Sequence, residues 1–245
     1  MINILSALAI HGIFYLIYFI VKLSMSKIDS YESSMKLPKF SMDKILLPIL
    51  LFASIIIQFF INSKNLVEYC GNNNSNTPIA MAFTSFFLIL GGIMILLKLY
   101  PGWKAPFSNT FGYLLGPLMV GESSQNITFE VSNLLKKKSS NSNQDLKMID
   151  KLTTDNSLLI NDISPEIFNK YVDTLKFPQN SNTILGKLYN IIFAKDLLST
   201  AIWYGLAITF AVVLNMNAVY NEQCQRNCDH RNGINGSFIS SCSQR

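Results

Sequence analysis

The side chains best equipped for chemistry in this 245-residue chain are few: two histidines, His11 and His230, and four cysteines. Cys224, Cys228, His230 and Cys242 together supply enough soft ligands for a metal. Their spacing is not a common zinc pattern, and an even cysteine count also reads as a disulfide framework. His11 lies inside an apolar run with no Asp or Glu to pair with, so a neutral, hydrogen-bonded imidazole is expected rather than a proton relay. No phosphate-cradling glycine loop, metalloprotease helix or nucleophile elbow occurs in the sequence. Two histidines leave general acid–base catalysis poorly supplied. The expectation is a protein that is not an enzyme, with no catalytic, cofactor-binding or metal residues and no cofactor.

Only 14% of the residues are charged, and the apolar ones gather in runs instead of alternating. Ile2 to Val21, Ile45 to Ile61, Ile79 to Leu97 and Leu197 to Met216 are each near the ~20 residues that a membrane-crossing helix needs. The first run has no Lys or Arg before it, exceeds the length of a signal peptide's apolar region and lacks a small-x-small cleavage site. It therefore reads as a span. Pro48 falls in the first turn of the second run, where proline is tolerated. Gln58, the strong polar group of that run, is expected to bond a neighbouring helix. Gly91 and Gly92 in the third run either admit a close partner helix or are ordinary membrane glycines.

Between the third and fourth runs the chain turns polar and helical in pattern. Ile127, Val131, Leu134 and Leu135 recur at helical spacing before Lys136 to Lys138. Ser139 to Gln144 reads as a linker. Ser164, Pro165 and Glu166 form a helix start, from which Ile167, Tyr171 and Leu175 share one face. Ile184, Leu188, Ile191 and Ile192 make another stripe. The predicted fold class is thus an all-α membrane protein: about four transmembrane helices, a cytosolic helical subdomain and a Cys-containing C-terminal tail. Residues 1–121 hold three spans and an interfacial elbow at 100–117, 122–196 the soluble helical region, 197–216 the fourth span and 217–245 a disulfide-bonded tail.

Net charge is +5, but its distribution says more than its total. Lys27, Lys36 and Lys39, with Lys22 and Lys44 at the edges, crowd the first loop, whereas Lys64 is the sole cation of the second. Positive residues stay inside, which puts the first loop and the helical region in the cytosol. The N-terminus, the Cys70 loop and the tail fall on the far side. All four cysteines, Cys70, Cys224, Cys228 and Cys242, then share one face, which favours two disulfides in an oxidising space. Cys70 would bond one tail cysteine while the other two pair locally. Asn73 and Asn235 lie on that face as glycosylation acceptors. The lysine run at 136–138 suits anionic headgroups better than nucleic acid, and no nucleic-acid partner is expected.

The elbow is the chain's most distinctive stretch. Tyr100, Trp103, Phe107, Phe111 and Tyr113 fall where the chain leaves the third apolar run, a depth that amphipathic rings favour. Pro101 and Gly102 signal a turn, and Pro106 and Gly112 add further breaks. Ser108 or Asn109 is placed to cap a short helix from Thr110 to Gly116.

The string from Pro101 to Tyr113, preceded by Cys70-Gly71 and a membrane span, resembles a multi-span membrane protein of nucleocytoplasmic large DNA viruses, the giant viruses. The resemblance runs from about Cys70 to Gly121, roughly a fifth of the chain. It implies a viral structural protein of the virion's internal membrane, a multi-pass minor capsid or membrane protein first inserted in host ER-derived membrane. Its role would be to fasten that membrane to the icosahedral capsid shell. The lipid bilayer and the major and minor capsid proteins would be its partners, with self-association left open. Two alternatives come from the residues. One is a small oligomeric channel or transporter using Gln58, Gly91, Gly92, Gly112 and Gly116; the other is a subunit of a viral entry complex carrying an exposed disulfide-bonded face.

Overall fold

The structure is a computed structural model describing residues 2–26, 31, 39–70, 76–139, 150, 152, 154–155, 157–175, 177 and 181–234. Among the described residues the chain is helical, with no strand. Helices α1 (Ile4–Ser26), α2 (Lys39–Cys70), α3 (Asn76–Phe86) and α4 (Gly92–Leu99) come first, α3 and α4 being joined through a π-turn at Phe87–Gly91. After the elbow follow α7 (Ser124–Ser139), α8 (Leu158–Asn161), α9 (Phe168–Leu175) and α10 (Asn182–Ile234). The elbow supplies α5 (Ala105–Phe107) and α6 (Tyr113–Val120). Among the described residues, four helical stretches are long and apolar enough to cross a membrane: Ile4–Met25, Ile45–Glu68, Pro78–Leu99 and Asn182–Tyr220. Each expected span coincides with one of these helical stretches; the first begins at Ile4, two residues later than expected, and runs on past Val21, while the other three overrun the expected boundaries.

The chain divides into two compact units. The first comprises Met1–Ile17, Ile45–Ile95 and Tyr204–Arg245. Its interior holds Ala7, Leu50, Ala82, Phe86, Ala211 and Val212, but also His11, Gln58, Asn62, Asn65 and Asn215, all at most 1% exposed. Its outer face carries Leu5, Phe60, Leu88 and Phe210. Polar groups inside and large apolar groups outside invert the pattern of a water-soluble bundle, and this suits helices surrounded by lipid. Gly91 is buried opposite Leu51, but a Cβ there would meet only an ordinary 3.8 Å contact, and Gly92 faces open space. These two glycines do not permit an unusually close approach.

The second unit comprises Tyr18–Lys44 and Leu96–Trp203. Its core joins Ile127, Val131 and Leu135 of α7 to Leu188, Ile191 and Ile192 of α10, as their helical spacing predicts. Two local expectations are corrected. Ser164 to Glu166 do not begin a helix; they form a turn, in which Ile167 N–H reaches the Ser164 carbonyl, and α9 starts at Phe168. The buried face shifts with it, to Phe168, Val172 and Leu175. Phe168 stands at the start of this i, i+4, i+7 set, and its ring meets those of Tyr31 and Tyr189 edge-on. Tyr31 is the second surprise: read as part of a polar loop, it is a core residue, 5% exposed.

Candidate functional site: the elbow on its supporting helix

Pro101 has no N–H to extend α4, and Tyr100 breaks the helix with φ −125° and ψ 73°. Instead of opening into a loop, the chain rewinds at once. A 3-10 turn at Pro101–Lys104 leads through α5 and a π-turn at Ser108–Gly112 into α6. Gly121 ends α6 in the left-handed region at φ 73°, with its N–H on the Leu118 carbonyl and the Glu122 N–H on the Pro117 carbonyl. That pairing closes a helix end efficiently, and glycine bears it without strain. The expected cap is not formed: Ser108 is buried inside the π-turn, and neither it nor Asn109 caps a helix. A continuously wound backbone leaves no free helix start at Thr110 for a side chain to cap.

The elbow is fastened along one stretch of α10 within the second unit. Ser199 Oγ donates to the Lys104 carbonyl at 2.6 Å, and Trp203 Nε1 donates to the Trp103 carbonyl at 2.9 Å. Ser199 and Trp203 are one helical turn apart, so a single face of α10 satisfies two carbonyls of the 3-10 turn. The Lys104 ammonium reaches both Asp196 oxygens, at 2.9 and 3.1 Å. Trp203 also packs edge-on against Phe107, with ring centroids 5.3 Å apart, and lies 6.2 Å from Trp103.

Farther along, the elbow's glycines meet the α10 backbone itself. A Cβ on Gly112 would lie 2.8 Å from the Lys195 carbonyl oxygen, and one on Gly116 would lie 3.2 Å from the Lys195 nitrogen. Lys195 is 3% exposed. Its ammonium donates to the Ile160 carbonyl at 2.6 Å, to the Asn161 carbonyl at 3.3 Å and to Asn109 Oδ1 at 3.3 Å. One side chain thus ties α10, the end of α8 and the π-turn together. Cationic groups at a helix C-terminus are favourable there.

Of the elbow residues predicted to matter, Trp103, Phe107, Asn109 and Gly112 make these contacts with α10. Tyr100, Trp103 and Phe111 keep exposed rings, Phe107 and Tyr113 are half-buried, and Pro101, Gly102 and Pro106 are exposed. Lys195, Ser199 and Asp196 escaped notice as partners because nothing local in the sequence ties positions about ninety residues apart. The Gly112-x3-Gly116 spacing was the available signal.

A second polar cluster lies in the first unit. His11 Nε2 donates to Gln58 Oε1 at 3.1 Å, and the Gln58 amide donates to Asn62 Oδ1 and Asn215 Oδ1, both at 2.9 Å. Asn215 donates onward to Ser85 Oγ at 3.3 Å, and Asn62 donates to the Pro78 carbonyl at 3.3 Å. The imidazole stacks on Phe86, with centroids 5.1 Å apart. His11 is hydrogen-bonded and Gln58 bonds neighbouring helices, as expected. The cysteine and glycosylation expectations fall elsewhere: Cys242, Asn73 and Asn235, and the side chains of Cys70, Cys224, Cys228 and His230, lie outside the described residues. No protein-family model, curated protein or solved structure matches this chain.

Proposed function

We propose that this is a structural, non-enzymatic protein of a giant-virus virion, seated in the internal membrane by four helices and fastening that membrane to the capsid shell through its exposed elbow face. The observation that carries the proposal is the fastening of the elbow to α10. Side chains at 196, 199 and 203, and the backbone at 195, hold a Pro- and Gly-rich segment that would otherwise wander. Leu197 to Met216 is about the length that crosses the hydrocarbon, so the Lys104–Asp196 ion pair falls at its edge. An elbow gripped there has a fixed height, and its outward side chains Trp103, Phe111, Leu114 and Leu118 are presented at that height. Such rigidity suits docking onto a shell better than it suits turnover of a substrate. The resemblance of Pro101 to Tyr113 to virion membrane proteins supplies the biological setting, including the capsid partners.

The channel alternative draws on the His11–Gln58–Asn215 cluster. Its members are at most 1% exposed and hydrogen-bond one another, which favours a role in holding helices together over lining a pore. The deciding experiment is fractionation of purified virions of the source virus: mild detergent stripping, then quantitative mass spectrometry of shell and soluble fractions. Stoichiometric retention with the shell is expected. Absence from particles overturns the virion role, and ion flux through reconstituted vesicles would favour the channel.

A further inference from the structure

The first unit's polar cluster has a direction as well as members. The Pro78 carbonyl only accepts hydrogen bonds, so Asn62 turns its Nδ2 to it, at 3.3 Å, and its Oδ1 to the Gln58 amide. Gln58 therefore donates from Nε2 to Asn62 and Asn215 and leaves Oε1 for His11. An amide oxygen also only accepts, so the His11 proton sits on Nε2. The other ring nitrogen, Nδ1, keeps its lone pair and is buried with no hydrogen-bond partner among the described residues. One backbone carbonyl of α3 thus fixes the imidazole of α1 in a single neutral form. Nothing around the ring can compensate a charge. Residues 2–17, 45–63, 78–95 and 204–219, which bring the four apolar stretches into this unit, contain no Asp, Glu, Lys or Arg. Their other titratable groups are the phenols Tyr15 and Tyr204, uncharged in acid. The groups that meet the ring are Gln58 of α2 and Phe86 of α3, with Asn215 of α10 behind Gln58.

We propose that His11 is an acid-sensitive latch of the first unit: a proton added at Nδ1 unfastens α1 from α2. The imidazolium keeps its Nε2–H bond to Gln58 but gains an Nδ1–H that no acceptor meets. It also carries a full charge among uncharged, lipid-facing helices, where an isolated charge is costly. The Phe86 ring, stacked on the imidazole, offsets part of that charge but supplies no acceptor. Withdrawing α1 brings the ring to water, where an imidazole takes up a proton below about pH 6.5. Acid therefore favours the opened form, and the closed form is intact above that range. The inference is independent of the proposed virion role.

The test melts the full-length protein in a neutral detergent between about pH 8 and about pH 5.5, a window that brackets the ordinary imidazole range. Opening should become about tenfold easier for each pH unit below that range, read as a melting temperature lower by about 2–4 °C at the acid end. Hydrogen exchange, corrected for the intrinsic effect of pH, should quicken in α1 and α2 and stay unchanged in α7. His11→Gln keeps a donor for Gln58 Oε1 and cannot take up a proton, so its melting should not follow pH in this window. His230→Gln removes the other histidine and should behave like the parent. Should His11→Gln fail to fold, Gln58→Glu replaces it: a carboxylate beside the ring compensates the charge, and the acid loss should shrink. A parent that melts alike across the window, an acid loss that persists in full in His11→Gln or Gln58→Glu, one that disappears in His230→Gln, or quickened exchange confined to α7 would each overturn the inference. Virion fractionation has no bearing on this result, so the two proposals fail separately.

Discussion

The Lys195 ammonium donates to the Ile160 carbonyl oxygen at 2.6 Å from a residue whose own backbone lies under Gly112 and Gly116. One position therefore serves two contacts of different kinds, one made by its side chain and one by its main chain. Substitutions separate the two. Lys195→Met keeps the backbone beneath the elbow but leaves the Ile160 and Asn161 carbonyls without their donor. A destabilisation of about 1–3 kcal/mol is expected, with hydrogen exchange accelerated around 157–163 and little changed in α7.

Gly112→Ala tests the main-chain contact. Its Cβ would meet the Lys195 carbonyl at 2.8 Å, and backbone cannot move aside cheaply. Overpacking of this kind costs about 1–3 kcal/mol, read as a lowered melting temperature in detergent. Gly102→Ala is the control, since nothing lies within 4 Å of its Cβ position, and it should melt like the parent. Equal melting of both variants would show that the elbow does not rest on α10 as described.

Trp203→Phe keeps an aromatic ring beside Phe107 and removes the Nε1–H that reaches the Trp103 carbonyl. The expected loss is about 1 kcal/mol. If the elbow is the docking surface, Trp103→Ala and Pro106→Ala should lower capsid assembly while membrane insertion, followed by carbonate extraction, stays normal. Normal assembly of both would remove the elbow from the proposal.

Gln58→Leu takes away the hub of the first unit's polar cluster. His11 loses its acceptor, and Asn62 and Asn215 lose their donor. Interhelical hydrogen bonds in membrane proteins average about 0.6 kcal/mol each and reach about 1.7, so a loss of about 1–2 kcal/mol is expected. A denaturation series in mixed micelles measures it. Loss of ion flux without loss of stability would instead support the channel alternative.

Tyr31 yields a pH-dependent prediction. Burial, and secondarily the Asp173 carboxylate, push its phenol above the ordinary 10.0. The folded chain holds the phenolic proton more tightly than the unfolded chain does. Its stability is therefore intact below pH 10.0 and declines as the pH rises through the raised value. Tyr31→Phe should remove that decline. It should also be neutral or slightly stabilising at neutral pH, because the buried hydroxyl has no hydrogen-bond partner among the described residues. A Tyr31→Phe variant that melts several degrees lower would reveal a partner for the hydroxyl.

The four apolar stretches were legible because uninterrupted hydrophobicity over about 20 residues admits few other structures. Their ends were not. The second was expected to stop at Ile61 because Asn62 opens a polar sequence, yet α2 continues to Cys70. Gln58, Asn62 and Asn65 stand at i, i+4 and i+7, and that shared face turns inward. Polar residues signal a loop only when water is the solvent outside; in a lipid-facing bundle they mark the interior. The elbow was legible as an element but not in its form, since 3-10 and π windings depend on contacts with α10 that no local pattern records. Tyr31 was hidden for a simpler reason: one aromatic ring in a polar loop has no period to reveal it.

The π-turn at Ser108–Gly112 has a consequence for how this chain can change over time. A π-turn accommodates one residue more than the α-turn it replaces. Deleting a single residue from it would turn the wide winding into an ordinary α-turn and leave the later residues where they are, with Gly116 still against Lys195. The regular turns of α6 have no such slack: a deletion there would rotate every later residue by about 100°. Changes of length by one residue are therefore absorbed at Ser108–Gly112, and they should be purged first from the α6 turns that follow it.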